Sequence, residues 1–168
     1  MKYIKEYNEN SYIKGVAEEC EDILIAIRDE RMNTTVESKT RAVSRRQRIE
    51  IFIDPRPGEG SMIDLSDQAE TLERLICYLD SEGFRLVSGR YESMHSHDVC
   101  PNCGSEEIKS SGYDDPTDSF YSECLDCSHQ GDEGIFSSSY WRISAQDELM
   151  SAIKRKIHML ELEFDKKI

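Results

Sequence analysis

The chain has 168 residues, a formal net charge of −13 at pH 7 and a mean hydropathy of −0.64. This length accommodates one domain or two small ones, and no apolar run approaches the roughly 20 residues that cross a bilayer. The acidic balance argues against a chain that binds nucleic acid through its overall charge.

The N-terminal half of the sequence begins with a polar segment and continues with an amphipathic pattern. We expect residues 1–10 to form a polar lead-in. Apolar residues then recur at helical spacing from Val16 to Ile27 and predict an amphipathic helix over about 13–31. The next segment, 33–45, is polar and rich in Ser and Thr, so it is expected to be a loop or a weak strand.

A strand, a helix and a second strand are predicted before residue 91. Residues 49–53 alternate and are rich in β-formers, so they predict a strand that stops before Pro55. A second helix is predicted from about Ser66 or Asp67, with Gly83 ending it, and an extended segment follows from Phe84 to about Tyr91. The segment 1–91 is therefore interpreted as a small helix and strand domain.

Two Cys-x-x-Cys pairs dominate the second half of the chain. Their spacing predicts a four-thiolate structural site for one Zn²⁺, because each turn directs two sulfurs at one metal and two turns complete a tetrahedron. Redox pairs or disulfides are the alternatives. The predicted ligands are Cys100, Cys103, Cys124 and Cys127.

The surrounding sequence predicts a zinc ribbon over 98–143 and a C-terminal helix over 144–168. The expected ribbon strands are 108–113, 120–123 and 135–143, with Asp114-Asp115-Pro116 turning the hairpin. The helix follows a capping sequence at 144–147. Its apolar stripe is predicted to pack on the first domain or to form a dimer, and it consists of Leu149, Ile153, Ile157, Leu160 and Phe164. The expected fold class is α+β.

The two remaining cysteines bear on the cellular compartment. Cys20 and Cys77 lie in helical patterns and are expected to be reduced core residues. A reducing compartment, most simply the cytoplasm, is therefore predicted.

Negative charge is concentrated around the cysteines. Residues 92–148 contain thirteen acids and two bases, a charge of −11, whereas residues 1–91 carry −4 and residues 149–168 carry +2. A zinc ion bound by four thiolates adds about −2. The segment is thus suited to a basic protein surface, or to occupying a DNA-binding groove in place of DNA. Solubility alone is the alternative explanation.

One run of bases opposes this trend, and it is the candidate nucleic-acid-binding set. It could contact phosphate or an acidic partner, or it could be a charged strand edge that resists aggregation. Its members are Lys39, Arg41, Arg45, Arg46 and Arg48.

The sequence from Cys100-Pro101-Asn102-Cys103-Gly104 to Cys124-Leu125-Asp126-Cys127 and Gly131 resembles the small phage zinc ribbons of the restriction-alleviation (Lar-like) type. Ser128 stands where that family usually has glycine. The segment is also similar to transcript-cleavage-factor ribbons, whose acidic pair at the hairpin tip helps to hold a polymerase metal. Asp114 and Asp115 would correspond to that pair, although the arginine expected before it is absent.

The sequence therefore predicts a non-enzymatic, acidic zinc-ribbon protein, which would bind and modulate a nucleic-acid-processing or defence machine. Inhibition is the expected form of modulation, and an inhibitor encoded by a phage or mobile element would fit. A nucleic-acid-binding regulator and a polymerase accessory are the alternative functions. The expected partner has a basic or DNA-binding surface, and a homodimer is allowed. The acids expected to contact the partner are Asp114, Asp115 and Asp118.

Overall fold

A computed structural model describes residues 2–28, 31–41, 44, 46–58, 62–111 and 121–167. The chain divides into two compact units. The sheet unit comprises Met1–Ser93 and Arg142–Ile168, and the cysteine unit is Met94–Trp141. The described helices include none that is long and apolar enough to cross a membrane.

In sequence, the cysteine unit is a single insertion within the sheet unit, and its boundaries fall within β4 and β8. The helices are α1 (Lys2–Leu24), α2 (Ala69–Ser81), α3 (Glu133–Phe136) and α4 (Gln146–Ala152), with a 3-10 turn at Ser66–Gln68. The strands are β1 (Met32–Arg41), β2 (Arg46–Pro55), β3 (Ile63–Asp64), β4 (Arg85–Asp98), β5 (Ile108–Ser111), β6 (Tyr121–Cys124), β7 (Gln130–Asp132), β8 (Ser137–Ile143), β9 (Lys156–Ile157) and β10 (Met159–Lys167). The predicted mixture of helices and antiparallel sheets is confirmed.

A five-stranded sheet with strand order β1-β2-β10-β4-β8 forms the main layer. β10 lies at its centre and pairs antiparallel with both β2 and β4. Alternate residues of β2 and β10 are fully buried on one face, where Leu162 lies opposite Ile51 and Leu160 opposite Ile53. α1 packs against β1 and α2. The apolar side chains of these helices and of that sheet face form the core of the unit.

The predicted C-terminal helix over 144–168 is wrong beyond its first two turns. α4 ends at Ala152, and residues 159–167 form the central strand. The helical stripe from Leu149 to Phe164 coincides with a strand pattern, since Leu160, Leu162 and Phe164 alternate with acids. Burial of that alternating set between two neighbouring strands outweighs the helical spacing.

Hydrogen bonds cap the start of α4 as predicted, but they are made by Glu148 and Ser144 rather than by the N-cap side chain. Ala145 is the N-cap residue, and its side chain makes no capping hydrogen bond. The Glu148 carboxylate instead accepts hydrogen bonds from the backbone N–H of Ser144 at 2.6 Å and from its hydroxyl at 2.9 Å. These hydrogen bonds lower the pKa of Glu148.

Other boundaries also differ from the expectation. The predicted ribbon strand over 135–143 is wrong, because residues 133–136 form α3 and β8 joins the five-stranded sheet, while β7 is the third strand beside β5 and β6. α1 begins at Lys2, so the polar lead-in is helical, and it ends at Leu24 rather than near residue 31. The polar segment after it is a full ten-residue strand, β1. α2 ends at Ser81, and Gly83, the predicted terminating residue, follows the C-cap Glu82 with φ of +84°. Phe84 N–H donates to the Leu79 carbonyl at 2.8 Å. This pattern is the Schellman cap that glycine favours.

We predict that Leu162→Ala lowers the free energy of unfolding by about 2–5 kcal/mol, because it leaves a cavity in the centre of the sheet. A helix with the predicted stripe would instead leave residue 162 on its solvent side. The measurement is urea unfolding followed by circular dichroism, and Thr35→Ala, an exposed position on β1, is the control. A change below about 0.5 kcal/mol in Leu162→Ala would contradict the central position of β10.

Candidate metal centre

The two Cys-x-x-Cys turns are built by the same backbone hydrogen bonds. In the first, Gly104 N–H donates to the Cys100 carbonyl and Cys100 N–H donates to the Ser105 carbonyl, both at 2.8 Å. In the second, Ser128 N–H donates to the Cys124 carbonyl and Cys124 N–H to the His129 carbonyl, both at 2.9 Å. Each turn is therefore a closed loop that directs its two cysteine side chains to one side.

The residue after each second cysteine has left-handed backbone geometry. Gly104 has φ of +75° and Ser128 has φ of +58°. Glycine adopts this conformation without steric cost, whereas a residue with a Cβ atom does so at a cost of about 1 kcal/mol. The two turns thus have the same shape but differ in strain, and the serine is the strained residue.

The four sulfurs lie close together. All four Sγ atoms are within 4.8 Å of one another, with 3.6 Å between Cys100 and Cys127 and between Cys103 and Cys124. Within the described ranges, this group of Cys, His, Asp and Glu side chains is the one close enough to share an ion. The arrangement could hold a metal ion.

A three-stranded antiparallel sheet in the order β5-β6-β7 supports these turns. Its register places Ile108 opposite Cys124. Cys100, Cys124 and Phe136 form a small buried core, against which Ile108 and Cys127 pack. Phe136, on α3, is fully buried, and the cysteines pack against its ring. The Cys-x-x-Cys spacing does not predict this contact.

The thiols differ in their ability to ionise. Hydrogen bonds from the Asn102 side chain and from the His129 backbone lower the pKa of Cys127 to about 6. The hydrogen bond with the Ser105 backbone lowers the pKa of Cys103. The hydrogen bond with Cys127, desolvation and the other two thiols together outweigh it and raise that pKa to about 12. Four sulfurs this close cannot all become thiolates unless a cation neutralises them. The donor set therefore fits a divalent ion that prefers thiolate ligands.

His97 and His129, the described histidines that pack near the cysteine turns, contact side chains and backbone other than the four sulfurs. His97 stacks on Trp141 with ring centroids 3.8 Å apart, its Nδ1 lies 3.1 Å from the Ser138 carbonyl oxygen, and its Nε2 lies 3.6 Å from Glu106. His129 tilts against Phe136 at 5.8 Å. Both rings thus belong to the packing around the cysteine turns.

The cysteine unit is strongly acidic. Residues 94–141 contain ten acids and one base, a formal charge of −9. Glu106, Glu107 and Asp126 are exposed beside the turns, and Leu125, which is 58% exposed, donates its N–H to the Glu107 carbonyl at 2.9 Å. We refer to these four exposed residues together as the knuckle face. The predicted contact residues Asp114, Asp115 and Asp118 lie outside the described residues.

The basic run lies on the β1–β2 hairpin of the sheet unit. The register places Lys39 opposite Arg48 and Arg41 opposite Arg46, so all four share one face of the hairpin. Arg48 donates to Asp165 at 2.7 Å and to Glu163 at 2.8 Å, and Arg46 lies 3.6 Å from Asp165.

Lys39 of the same run is also paired, with Glu50 and Glu37. Lys39, Arg46 and Arg48 therefore have carboxylate partners within the unit. Arg45 lies outside the described residues.

Comparison of the whole chain with protein-family models, curated proteins and solved structures gives no match.

We predict that Gly104→Ala destabilises the cysteine unit by about 1–2 kcal/mol, whereas Ser128→Gly stabilises it by about 0.5–1 kcal/mol, because of the left-handed geometry at both positions. Hydrogen exchange at the Cys100 and Cys124 amides measures the local stability. Gly134→Ala is the control, since a Cβ there meets no atom within 4 Å. Equal effects of alanine at 104 and at 134 would contradict the turn geometry.

Proposed function

We propose that the four cysteines bind one Zn²⁺ and that this zinc is structural. A tetrahedral ion with Zn–S bonds of about 2.3 Å requires sulfurs roughly 3.8 Å apart. The 3.6 Å separations and the upper limit of 4.8 Å among the four sulfurs support that fit. Four protein thiolates complete the coordination and leave no position for water or substrate. Zinc bound there would supply folding energy to a small unit with few buried side chains.

The proposed zinc site predicts about one zinc per chain by elemental analysis of the purified protein. Cys124→Ser should lose most of that zinc, because a neutral hydroxyl replaces a thiolate at a fully buried position. Cys77 was predicted to be a core residue, but it is exposed on α2, whereas Cys20 is buried as predicted. Cys77→Ser is therefore the matched control and should keep the parent's zinc content. Full zinc occupancy in Cys124→Ser would contradict the assignment.

We further propose that the chain is a non-enzymatic binding protein whose cysteine unit docks on a basic surface. The observation that carries this proposal is the contrast between the two units. Acids of the sheet such as Glu50, Glu163 and Asp165 have basic partners on neighbouring strands. The cysteine unit has one lysine for ten acids, so most of its carboxylates cannot pair within the unit.

The knuckle face offers a definite contact surface for such a partner. It combines the exposed carboxylates of Glu106, Glu107 and Asp126 with the exposed side chain of Leu125. An apolar residue within a charged surface suits a protein partner, since burial of the leucine adds affinity and the charges select a basic surface. A DNA-binding or RNA-binding groove is the basic surface that this charge favours. We therefore propose inhibition of a nucleic-acid-processing or defence machine, as in phage-type proteins.

The alternative of direct nucleic-acid binding through the basic run receives less support. Arg48 is held by two carboxylates, and Lys39 and Arg46 each lie beside at least one. Releasing these cations to phosphate would leave the partly buried Asp165 and Glu50 without their partners.

The test of the proposed function compares two variants that each lose three negative charges. Glu106→Gln, Glu107→Gln and Asp126→Asn neutralise the knuckle face, while Asp67→Asn, Glu70→Gln and Glu73→Gln neutralise exposed acids at and near α2. A protein captured by the parent chain from bacterial lysate, identified by mass spectrometry, serves as the analyte in surface plasmon resonance.

We expect the knuckle-face variant to associate about tenfold more slowly at low salt, and the α2 variant to change by less than about twofold. The captured protein should itself bind DNA or RNA and release it when this chain is added. Equal association rates for both variants and the parent would contradict docking through the knuckle face.

A further inference from the structure

The strand β1 borders the five-stranded sheet and pairs with β2 on one side only. One hydrogen bond shows which residues of β1 bond to β2 and which face outward. Immediately before β1, Arg56 N–H donates to the Arg31 carbonyl at 2.8 Å. In an antiparallel pair, hydrogen-bonded and outward-facing residues alternate. The odd-numbered residues of β1 therefore bond to β2, and the even-numbered ones direct their backbone N–H and C=O groups away from the sheet.

Arginine side chains cover the first half of this edge. Arg28 donates to the Thr34 carbonyl at 2.7 Å and to its hydroxyl at 3.3 Å, and Arg56 donates to the Met32 carbonyl at 3.3 Å. These two carbonyls belong to the outward-facing set, as the alternation along β1 requires. A strand from another molecule cannot pair with this half of β1 unless both guanidinium groups move.

The second half of the edge is open. In the described parts of the chain, the outward backbone groups of Val36, Ser38 and Thr40 have no hydrogen-bonding partner. Ser38 and Thr40 are exposed and Val36 is half-buried. A free edge of this kind is a template for a further strand.

We propose that the open half of β1 pairs antiparallel with the same segment of a second copy of this chain, with Ser38 of each copy facing Ser38 of the other. This register joins all the open backbone groups, because Val36 of one copy faces Thr40 of the other. Pairing ends where Arg28 covers Thr34. The result is a two-fold symmetric contact that extends the sheet across two copies.

The charges on the strand favour this register over its neighbours. It places Glu37 of each copy opposite Lys39 of the other, in the pairs where side chains approach most closely. Displacing one copy by two residues places either Glu37 opposite Glu37 or Lys39 opposite Lys39. Like charges directly opposite one another destabilise a strand pair.

Lysine on an edge strand usually opposes pairing with other chains. Here Glu37, two residues before Lys39 on the same face, makes the segment complementary to itself. Lys39 already contacts Glu37 and Glu50 within its own chain, so Glu37 of the second copy would be the third carboxylate in an existing ion-pair network. The contact is short, and we expect a weak, concentration-dependent dimer. This surface lies in the sheet unit and is independent of the knuckle face.

The first experiment uses charge reversal on the full-length chain, with dimerisation measured by analytical ultracentrifugation over a concentration series. Glu37→Lys and Lys39→Glu should each weaken self-association about tenfold, since each gives two like-charged pairs per dimer. An equimolar mixture of the two variants should recover the parent's affinity as a heterodimer, because every facing pair is then of opposite charge. A variant that had merely lost its fold would not recover in the mixture.

The second experiment tests the register by disulfide formation in a Cys77→Ser background. Facing residues of a hydrogen-bonded pair have Cα atoms about 5.5 Å apart, within the range of a disulfide. Ser38→Cys should form a covalent dimer under mild oxidation. Thr40→Cys should not, since the Cα atoms of the two Thr40 residues in this register are about 14 Å apart. A chain that stays monomeric at millimolar concentration, or one that crosslinks equally at both positions, would overturn the proposal.

Discussion

The sheet unit depends on β10, because this strand supplies hydrogen bonds to β2 on one side and to β4 on the other. Its alternating residues also determine what the two faces of the sheet can do. Leu160, Leu162 and Phe164 complete the buried face, while Glu161, Glu163 and Asp165 occupy the opposite face beside Arg90, Arg48 and Arg46. Opposite faces of this one strand therefore contribute to the apolar core and to the ion-pair network of the sheet. A change that displaced β10 would expose both the apolar layer and a set of partly buried carboxylates.

Charge serves different purposes in the two units. In the sheet, basic and acidic side chains lie on adjacent strands, and the partly buried Arg48 fixes two carboxylates at once. In the cysteine unit, acids greatly outnumber bases, and a thiolate-bound metal would add further negative charge. Repulsion of that kind lowers the stability of a small unit, and it persists where a bound partner or a metal supplies the compensating energy. Under the proposed function, docking on a basic surface would offset this repulsion.

Much of the site was predictable from the sequence, and less of the fold. Cys-x-x-Cys spacing restricts local geometry so strongly that the clustering of the four cysteines could be predicted without a structure. Phe136 and the left-handed Ser128 could not, because tertiary packing and turn strain leave no periodic signal. β2 and α2 were predictable since each has one clear period. The last 20 residues carry two periods at once, and only the neighbouring strands decide between them. β1 has few apolar residues, so its pairing with β2, rather than its own composition, makes it a strand.

The order of elements along the chain has a consequence for biosynthesis. β10 follows the whole cysteine unit in sequence, although it lies between β2 and β4 in the sheet. A ribosome adding about 5–20 residues per second needs several seconds to pass from β4 to β10. During that interval Ile49, Ile51 and Ile53 have no permanent neighbour on one side. One edge of β2 therefore stays open until the C-terminal segment has been synthesised, and the cysteine unit is the part of the chain made in the meantime.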